Sequence, residues 1–352
     1  MEVTSHFWRD KRVLLTGHTG FKGAWMSLWL HSMGAKVQGF ALAPPTKPSL
    51  FEEAMVGELI QSTLGDVRDF AAVKKVVSEF KPEIVFHMAA QPLVRYSYDA
   101  PIETYATNVM GTAHLLESIR TTDTVRAVVN ITTDKCYENR EWVWGYREDE
   151  PMGGFDPYSS SKACSELVSA AYRQSFLDKA GIAIATARAG NVIGGGDWAK
   201  DRLVPDVLQA FTDHRAVSIR NPHSIRPWQH VLEPLSGYLL LAEKLFSEPA
   251  VFSQAWNFGP QDEYAKPVGW IVETMASKWG GEAAWSFDQG PHPHEAHYLK
   301  LDISKARQVM GWSPRWSLDQ ALDNVIEWHQ AWRQRRDVRA TCLEQIEHYL
   351  AS

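Results

Sequence analysis

The sequence predicts an α/β protein with a doubly wound parallel sheet and a smaller, irregular C-terminal lobe. Two observations support this fold class. Short apolar runs typical of buried strands alternate with amphipathic runs over the first half of the chain. A glycine-rich turn also joins the first strand to the first helix. After Arg188 the pattern changes, and loops become rich in Gly, Pro, Trp and Arg.

The alternation assigns the elements in chain order. Strands are predicted at residues 12–16, 36–42, 60–65, 83–88, 126–132 and 182–188. Apolar residues at helical spacing predict helices that start at Phe21 and that cover residues 70–80, 103–120, 159–179 and 318–336. Because helices separate the strands, we expect parallel strands with helices on both faces of the sheet.

The change of pattern predicts two parts, which suits a length of 352 residues at ~150 residues per domain. The first part, residues 1–190, carries the glycine turn and the sheet. The second part, mainly residues 191–352, is expected to build a substrate pocket beside the first. Returns of the chain to the sheet are expected near residues 228–260.

Composition and charge narrow the class of protein. Hydrophobic residues make up 45% of the chain and charged residues 22%, a balance typical of soluble globular proteins. The formal net charge of -6 gives no basic excess to neutralise phosphates, so we expect no nucleic acid partner. No apolar run of about 20 residues could span a bilayer, so no membrane partner is expected. Three separated cysteines and a charged N-terminus predict a cytoplasmic location.

Three glycines, Gly17, Gly20 and Gly23, lie in TGHTGFKGAW between the first strand and the first helix. In this context one glycine permits a tight turn, one lets a pyrophosphate approach the backbone, and one lets the helix pack against the strand. The helix N-terminus offers N–H groups and partial positive charge to phosphates. The turn therefore predicts dinucleotide binding on a Rossmann-type sheet, against the alternative of an ordinary tight turn.

The second strand lacks the acidic residue that usually binds the adenosine ribose. That acid is expected about 20 residues after the turn, whereas residues 40–45 read FALAPP. No arginine is present there to bind a 2′-phosphate, so we predict NAD rather than NADP. Asp66 and Arg68, after the third strand, are expected to contact the adenine side instead.

Tyr158 and Lys162 form the pattern Tyr-x-x-x-Lys at the start of a predicted helix. A spacing of four places both side chains on one helical face. The ordinary pKa of tyrosine is about 10, and we expect the nearby Lys162 ammonium to lower the pKa of Tyr158 so that it can act as a base. The same lysine can reach the nicotinamide ribose. The pattern also arises by chance, and its position after NITTDKCY is what supports the functional interpretation.

Thr133, Asp134 and Lys135 lie at the carboxyl end of a predicted strand. Open α/β sheets place their chemistry at that edge. An alternative is that Thr and Asp only cap a turn. The grouping of these three residues with Tyr158 and Lys162 on one rim favours a catalytic role.

The strings TGHTGFKG, HMAAQP, NITTDKCY, YSSSK and RAGNVIGGGDW together resemble the extended short-chain dehydrogenase/reductases that modify nucleotide sugars. NREWVWGYRE, GGGDWAKDR, IRNPHSIRPWQHVLEPL and HPHEAHYLKLD are similar to the CDP-glucose 4,6-dehydratase family. The similarity runs from about Phe7 to Trp332. It implies conversion of CDP-D-glucose to CDP-4-keto-6-deoxy-D-glucose with NAD, in deoxysugar and lipopolysaccharide O-antigen biosynthesis. It also implies a homodimer or homotetramer, paired through residues 103–120 and 159–179.

The resemblance also implies the residues of the site. The catalytic set is Thr133, Asp134, Lys135, Tyr158 and Lys162. The expected NAD-binding set is Gly17, Thr19, Gly20, Phe21, Lys22, Gly23, Asp66, Val67, Ala89, Ala90, Gln91, Tyr158 and Lys162. The expected nucleotide-sugar set is Asn191, Arg202, Arg220, Arg226, His294 and Tyr298.

Lys135 departs from the pattern of the related TDP-glucose dehydratases, in which Asp-Glu stands where this chain has Asp134 and Lys135. The acid donates to the leaving hydroxyl in those relatives, and the glutamate takes the C5 proton. If Lys135 is the base here, it has to be neutral part of the time. Burial or a neighbouring cation is then expected to depress the pKa of Lys135.

Three alternatives remain open at this point. A 4-epimerase or a dehydratase of another nucleotide sugar would share the fold, although an epimerase needs no Asp134–Lys135 pair. A non-catalytic NAD-binding regulator would have no use for Tyr158 and Lys162. The histidines of the segment HPHEAH suggest a metal site, but its proline and the lack of a water-activation role argue against one, and no metal is expected.

Overall fold

The computed structural model describes residues 3–281, 283–288, 290 and 298–352. In these residues one seven-stranded sheet dominates, with the strands β1 (Arg12–Thr16), β2 (Lys36–Ala41), β3 (Gln61–Leu64), β4 (Ile84–His87), β5 (Ala127–Ile131), β6 (Ala183–Ala189) and β7 (Ala255–Phe258). The order across the sheet is β7-β6-β5-β4-β1-β2-β3, and every neighbouring pair is parallel. The strand order reverses between β1 and β4, so the predicted doubly wound sheet is confirmed.

The longer helices are α1 (Phe21–Ser32), α2 (Phe70–Phe80), α3 (Gly111–Arg120), α4 (Pro157–Tyr172), α5 (Leu203–Thr212), α6 (Leu232–Ser247), α7 (Val268–Trp279), α8 (Leu318–Arg333) and α9 (Val338–Ala351). Short α-helices cover Ser5–Trp8, Leu50–Glu53, Val94–Asp99, Pro101–Tyr105 and Pro249–Phe252. Single 3₁₀ turns cover Val56–Glu58, Asp134–Cys136, Asp178–Ala180 and Asp262–Tyr264. Among the described residues, no helix is both long enough and apolar enough to cross a membrane.

The two long helices predicted at residues 103–120 and 159–179 are each interrupted by a π turn. The first interruption is Ala106–Met110, just before α3, and the second is Arg173–Leu177, just after α4. A third π turn covers Ala306–Met310. In the first, the side chain of Asn108 is held by hydrogen bonds with the Gln91 backbone and with Ser161. π turns of this kind are often found at functional sites.

The sheet is buried on both faces. All residues of β4, β5 and β6 are buried, as expected for central parallel strands. On one face α1 and α6 contribute a large core that also contains α9, where Trp29 packs edge-on against Tyr349. On the other face α2 and α3 pack against β1, β4 and β5. The C-terminal helix therefore returns to the sheet instead of extending the second part of the chain.

The second part is built around its own apolar cluster. Residues of α5, α7 and α8 form this cluster, together with Trp228. Three two-stranded pairs surround it: Val192–Ile193 with Gln229–His230, Val217–Ile219 with Trp285–Phe287, and Ile225–Pro227 with Ala265–Pro267. These short strands explain why the sequence after Arg188 looks irregular. They hold loops beside the carboxyl edge of the sheet, where the predicted site lies.

Candidate active site

The fold requires glycine at two of the three positions of the glycine turn, Gly17 and Gly23, but not at Gly20. Gly17 has φ +79°, and a Cβ added there would lie 2.7 Å from the backbone nitrogen of Ala89. A Cβ on Gly23 would overlap the carbonyl of Gly17. Gly20 has an ordinary φ of -80°, and its added Cβ would meet only the Gly17 oxygen, at 3.4 Å. The absence of a side chain at Gly20 therefore serves something other than packing, and it leaves the N-terminus of α1 open to a phosphate.

Gly20→Ala and Gly23→Ala are expected to have different effects. The Gly23→Ala change overpacks the turn and should lower the free energy of unfolding by about 2 kcal/mol or more. Gly20→Ala should leave thermal unfolding nearly unchanged and weaken NAD binding about tenfold, a loss of ~1.4 kcal/mol. Thermal melting and NAD titration by tryptophan fluorescence measure both effects. A Gly20→Ala protein with unchanged NAD affinity would contradict the assignment of this turn.

The end of β2 is closed by protein side chains instead of carrying an acid. The ring of His18 lies over Gly39, whose added Cβ would overlap it, and His18 Nε2 lies 2.7 Å from Ser62 Oγ. Burial lowers the pKa of His18 to about 4, so the ring is neutral at neutral pH. The Thr19 hydroxyl donates to the Leu42 carbonyl oxygen at 2.9 Å. Where a ribose-binding carboxylate usually stands, the end of β2 is therefore covered by neutral side chains.

The other predicted cofactor residues lie around the same edge. Asp66 accepts two hydrogen bonds from the Arg68 side chain, and this partner lowers the pKa of Asp66. Val67 packs against Gly111 at the start of α3. Ala89 donates its N–H to Thr16 Oγ1 at 3.2 Å. The Gln91 amide bonds to Leu93 and Thr104, which indicates a role in shaping the loop after β4.

Helix α4 carries the tyrosine and the lysine. It begins after Asp156, whose carboxylate accepts from the Ser159 N–H and hydroxyl, and Pro157 fits the first helical position. Tyr158 and Lys162 are both buried. The Lys162 ammonium donates to the carbonyl oxygen of Ile131 at 2.9 Å, which joins α4 to the end of β5.

The segment after β5 places a carboxylate in the same region. Thr133 begins the 3₁₀ turn Asp134–Cys136; its hydroxyl donates to Asp134 Oδ1 at 3.0 Å and accepts from the Lys135 N–H at 3.3 Å. The second oxygen, Asp134 Oδ2, is buried with no hydrogen-bond partner among the described residues. Gly190 makes room for this carboxylate, because a Cβ there would overlap it. A buried oxygen without a partner is costly, so this atom is suited to a ligand.

Several charges meet around the phenol of Tyr158. Burial raises the pKa of Tyr158 to about 12; a hydrogen bond with Thr133 and the charge of Arg202 oppose this rise, while Asp134 adds to it. Burial lowers the pKa of Lys162 to about 8. Burial and the cations Lys162 and Arg202 lower that of Lys22 to about 7. The expectation of a lowered Tyr158 pKa is therefore wrong for the protein alone, because the loss of hydration outweighs the cations.

The predicted nucleotide-sugar residues that the structure describes lie on separate segments of the second part, and Arg226 belongs to the short strand Ile225–Pro227. The charge of Arg202 acts on Tyr158, and Arg202 Nη1 lies 2.9 Å from Asp197 Oδ2. Arg220 Nη1 lies 4.0 Å from Asp201 Oδ1. Asn191 has φ +42° and follows Gly190. Arg226 is buried beside Ile225, which forms a bridge with Tyr298.

His294 lies outside the described residues. The structure thus brings Thr133, Asp134, Tyr158, Lys162, Lys22 and Arg202 together. Arg220, Arg226 and Tyr298 contact other groups: Asp201, the Ile225 carbonyl oxygen and the Val143 carbonyl oxygen, respectively. No group of three metal-ligating side chains occurs in the part of the chain that the structure describes.

Two buried residues near the site were missed by the sequence interpretation. Glu166 lies one turn after Lys162 on α4, and its carboxylate pairs with Arg188 at the end of β6. Glu166 could have been noticed, since it continues the face of Tyr158 and Lys162 at a spacing of four. Nothing in the sequence indicates that Arg188 is its partner, because the two residues are 22 positions apart, one in a helix and the other in a strand.

The chain is similar in sequence to known enzymes that act on nucleotide sugars. Residues 14–325 match the profile of the family described as GDP-mannose 4,6 dehydratase. The chain is 58% identical over 355 residues to a CDP-glucose 4,6-dehydratase of Salmonella typhimurium strain LT2, with 99% of each chain covered. It is 26% identical to a UDP-glucose 4-epimerase of Mycolicibacterium smegmatis, covering 90% of this chain and 97% of that protein.

Solved structures share the fold. A dTDP-glucose 4,6-dehydratase from Bacillus anthracis, solved in complex with NAD, aligns with TM-score 0.78 and 19% identity, over 94% of this chain and 100% of that one. A UDP-glucuronic acid 4-epimerase from Bacillus cereus aligns with TM-score 0.80 and 21% identity, over 91% and 99%. On the match over most of its length and on the 58% identity, the chain belongs to the GDP-mannose 4,6 dehydratase family.

Proposed function

We propose that this protein is an NAD-dependent dehydratase that converts CDP-D-glucose to CDP-4-keto-6-deoxy-D-glucose and water. One observation carries the proposal: Asp134, with a buried oxygen that has no partner among the described residues, lies beside the buried Tyr158 phenol. An oxidation needs only the phenol and its lysine. A carboxylic group next to them suits the removal of a hydroxyl. The 58% identity to the Salmonella CDP-glucose 4,6-dehydratase supports the same reaction and substrate.

NAD fits the carboxyl edge of the first part. The absence of a side chain at Gly20, the N-terminus of α1 and the half-buried Lys22 suit a pyrophosphate, and Lys162 suits the nicotinamide ribose. When bound, NAD supplies the hydride acceptor for the sugar C4 and the hydride donor for C6. We propose that residues 1–190 with β7 form the NAD-binding part, and that residues 191–352 mainly form the nucleotide-sugar lobe.

The first chemical task falls to Tyr158 and its neighbours. Tyr158 takes the proton of the sugar 4-hydroxyl as C4 is oxidised to a ketone, and Thr133 hydrogen-bonds the same hydroxyl. Because burial raises the pKa of Tyr158 to about 12, the phenol needs added positive charge to ionise. Lys162, Lys22 and Arg202 provide cations in this buried region.

The second task is elimination across C5 and C6. The 4-ketone acidifies the C5 proton, and Lys135 is proposed as the base that removes it. Asp134 is proposed to give a proton to the departing C6 hydroxyl, which leaves as water. Lys135 is half-buried and its backbone is fixed by Thr133, so the acid and the base extend from one rigid turn.

We assign three arginines and the segment near Tyr298 to binding of the nucleotide part of the substrate. Arg202, Arg220 and Arg226 carry forked donors that suit a diphosphate. Asp197 and Asp201 contact the first two of these arginines, so substrate phosphates would compete with carboxylates for them. Asn191, His294 and Tyr298 complete the proposed set.

The purified protein with NAD, offered CDP-, TDP-, GDP- and UDP-glucose separately, tests both reaction and base preference. The alkaline absorbance of a 4-keto-6-deoxy sugar reports product. We expect product from CDP-glucose at a kcat/KM at least tenfold above the other three. Formation of a galactose-linked nucleotide without a keto sugar would instead establish an epimerase. If none of the four nucleotide sugars is converted, a non-catalytic NAD-binding protein would be favoured.

We also propose a homo-oligomer that forms through residues 101–120 and α4. Ile102, Met110 and Leu167 are 81%, 50% and 59% exposed, although large apolar side chains in helices are usually covered. Leu167→Glu should shift the protein towards a monomer in sedimentation velocity runs. Leu64→Glu, at a residue 63% exposed on β3, is the matched control and should not. A wild-type monomer would contradict the proposal.

A further inference from the structure

The buried carboxylate of Glu166 joins three elements of the active site. Its Oε1 accepts from Thr132 Oγ1 at 2.5 Å and from Arg188 Nε at 2.9 Å. Its Oε2 accepts from Thr186 Oγ1 at 2.5 Å and from Arg188 Nη2 at 2.9 Å. Glu166 belongs to α4, Thr132 follows β5, and Thr186 and Arg188 belong to β6. One fully bonded carboxylate therefore fixes α4 against the ends of two neighbouring strands.

Arg188 extends this connection to the far side of the catalytic turn. Its Nη1 donates to the Tyr137 hydroxyl at 2.8 Å and to the Glu148 carbonyl at 2.9 Å. Thr132 directly precedes Thr133, and Tyr137 directly follows the 3₁₀ turn Asp134–Cys136. The Glu166–Arg188 pair thus holds the turn that carries Asp134 and Lys135 at both of its ends.

The same pair also acts electrostatically on the part of the site that carries the tyrosine and the lysine. Glu166 is four residues after Lys162 on α4, and its charge raises the pKa of Lys162, against the larger effect of burial. Two residues after Arg188, Gly190 leaves the space that the Asp134 carboxylate occupies. The position of Asp134 relative to Tyr158 therefore depends on the spacing between α4 and β6.

We propose that Glu166 and Arg188 are positioning residues, which set the acid–base turn Thr133–Lys135 in register with Tyr158 and Lys162. The inference rests on the proposed dehydratase function. Stability alone does not account for the pair, because replacing a buried ion pair by apolar side chains is often neutral or stabilising. The two parallel hydrogen bonds between Glu166 and Arg188 instead fix the distance and the angle between α4 and β6. This matters because displacement of a catalytic group by about 1 Å can cost about 10²-fold in rate.

The expected defect is selective. Tyr158 and Lys162 lie on α4 itself, so oxidation at C4 depends less on the pair. Asp134 and Lys135 are held by it at both ends of their turn, so elimination depends on it more. A loosened pair should therefore let the reduced cofactor and the 4-keto sugar accumulate before water is lost.

Glu166→Gln, which keeps the shape of the side chain and removes its charge, gives the first test. We expect kcat to fall about 50-fold or more with KM within threefold of wild type, and the absorbance of reduced nicotinamide to rise transiently after CDP-glucose is added. Circular dichroism and thermal melting check that the variant is folded. An equal slowing of oxidation and elimination, or an unchanged kcat, would overturn the proposal.

A cavity of about 660 Å³ beside the pair allows a second test by chemical rescue. Glu166, Arg188 and Arg147 line it, and it opens to solvent. Arg188→Ala enlarges this cavity by the volume of a guanidinium group. We expect its kcat to fall about 50-fold, and millimolar guanidinium chloride to restore it at least fivefold, while sodium chloride at equal ionic strength does not.

Arg147→Ala is the matched control, because Arg147 lines the same cavity but is exposed and contacts Asp302. It should keep wild-type kcat and show no response to guanidinium. If Arg188→Ala does not fold, Arg188→Lys, which keeps the charge but not the fork, should show the same transient reduced cofactor. Absence of rescue in a folded Arg188→Ala protein would contradict the proposal, whereas a wild type inactive on CDP-glucose would contradict the function on which it rests.

Discussion

Tyr158→Phe is expected to lower kcat on CDP-glucose by about 10³-fold, within the range observed for loss of a general base. The phenylalanine keeps the ring, which is buried, and removes only the hydroxyl that takes the 4-hydroxyl proton. Binding of NAD and thermal stability should change little. Initial rates of keto-sugar formation, with NAD titration as a second readout, measure the effect.

Tyr172→Phe is the matched control for this change. Tyr172 is the last residue of α4, and its hydroxyl lies 3.4 Å from Glu117, far along the helix from Lys162. Its loss should leave kcat within twofold of wild type. A Tyr158→Phe enzyme that retains more than a tenth of wild-type kcat would show that another group removes the proton.

Lys135→Met is expected to separate oxidation from elimination. The methionine keeps much of the side-chain length and removes the amine that is proposed to take the C5 proton. Formation of reduced cofactor should persist, while release of the 4-keto-6-deoxy product falls by about 10²- to 10³-fold, as for other general bases. Rapid-mixing absorbance and product assay measure the two steps.

Exchange at C5 identifies the base directly. In deuterated water the wild-type enzyme should place deuterium at C5 of the product, and Lys135→Met should do so only at its slowed rate. Lys179→Met, at an exposed lysine in a 3₁₀ turn after α4, serves as control. Normal exchange and normal elimination in Lys135→Met would refute the role of Lys135 and leave Asp134 as the remaining acid–base group on that turn.

Much of the fold could be predicted because its signals are local. Six strands of the sheet were predicted within two residues of their observed ends, since each is a short apolar run next to a turn. Gly17 and Gly23 predicted the turn because backbone geometry there excludes a side chain. The helices α5 and α7 were not predicted, because their apolar residues face a cluster that only the folded second part creates. Helix α9 was not predicted either, because its apolar residues pack into the core on the sheet, far away in sequence.

The site was predictable where its residues are neighbours in sequence. Thr133 to Lys135 and Tyr158 to Lys162 each form a compact pattern, and the parallel sheet brings the two patterns to one edge. The raised pKa of Tyr158 could not be predicted, because it depends on how much water the complete site excludes. The Glu166–Arg188 pair depends on contact between a helix and a strand, which no spacing in the sequence reports.

The path of hydrogen through the sugar tests the central claim, that one site performs both oxidation and elimination. With CDP-glucose labelled with deuterium at C4, a single enzyme-bound NAD should carry the label to C6 of the 4-keto-6-deoxy product, without loss to solvent. Mass spectrometry and proton NMR of the product locate the label. Deuterium at C6 is the predicted result, and a 4-keto-6-deoxy product whose C6 carries no deuterium, because the label was lost to water, would contradict the account.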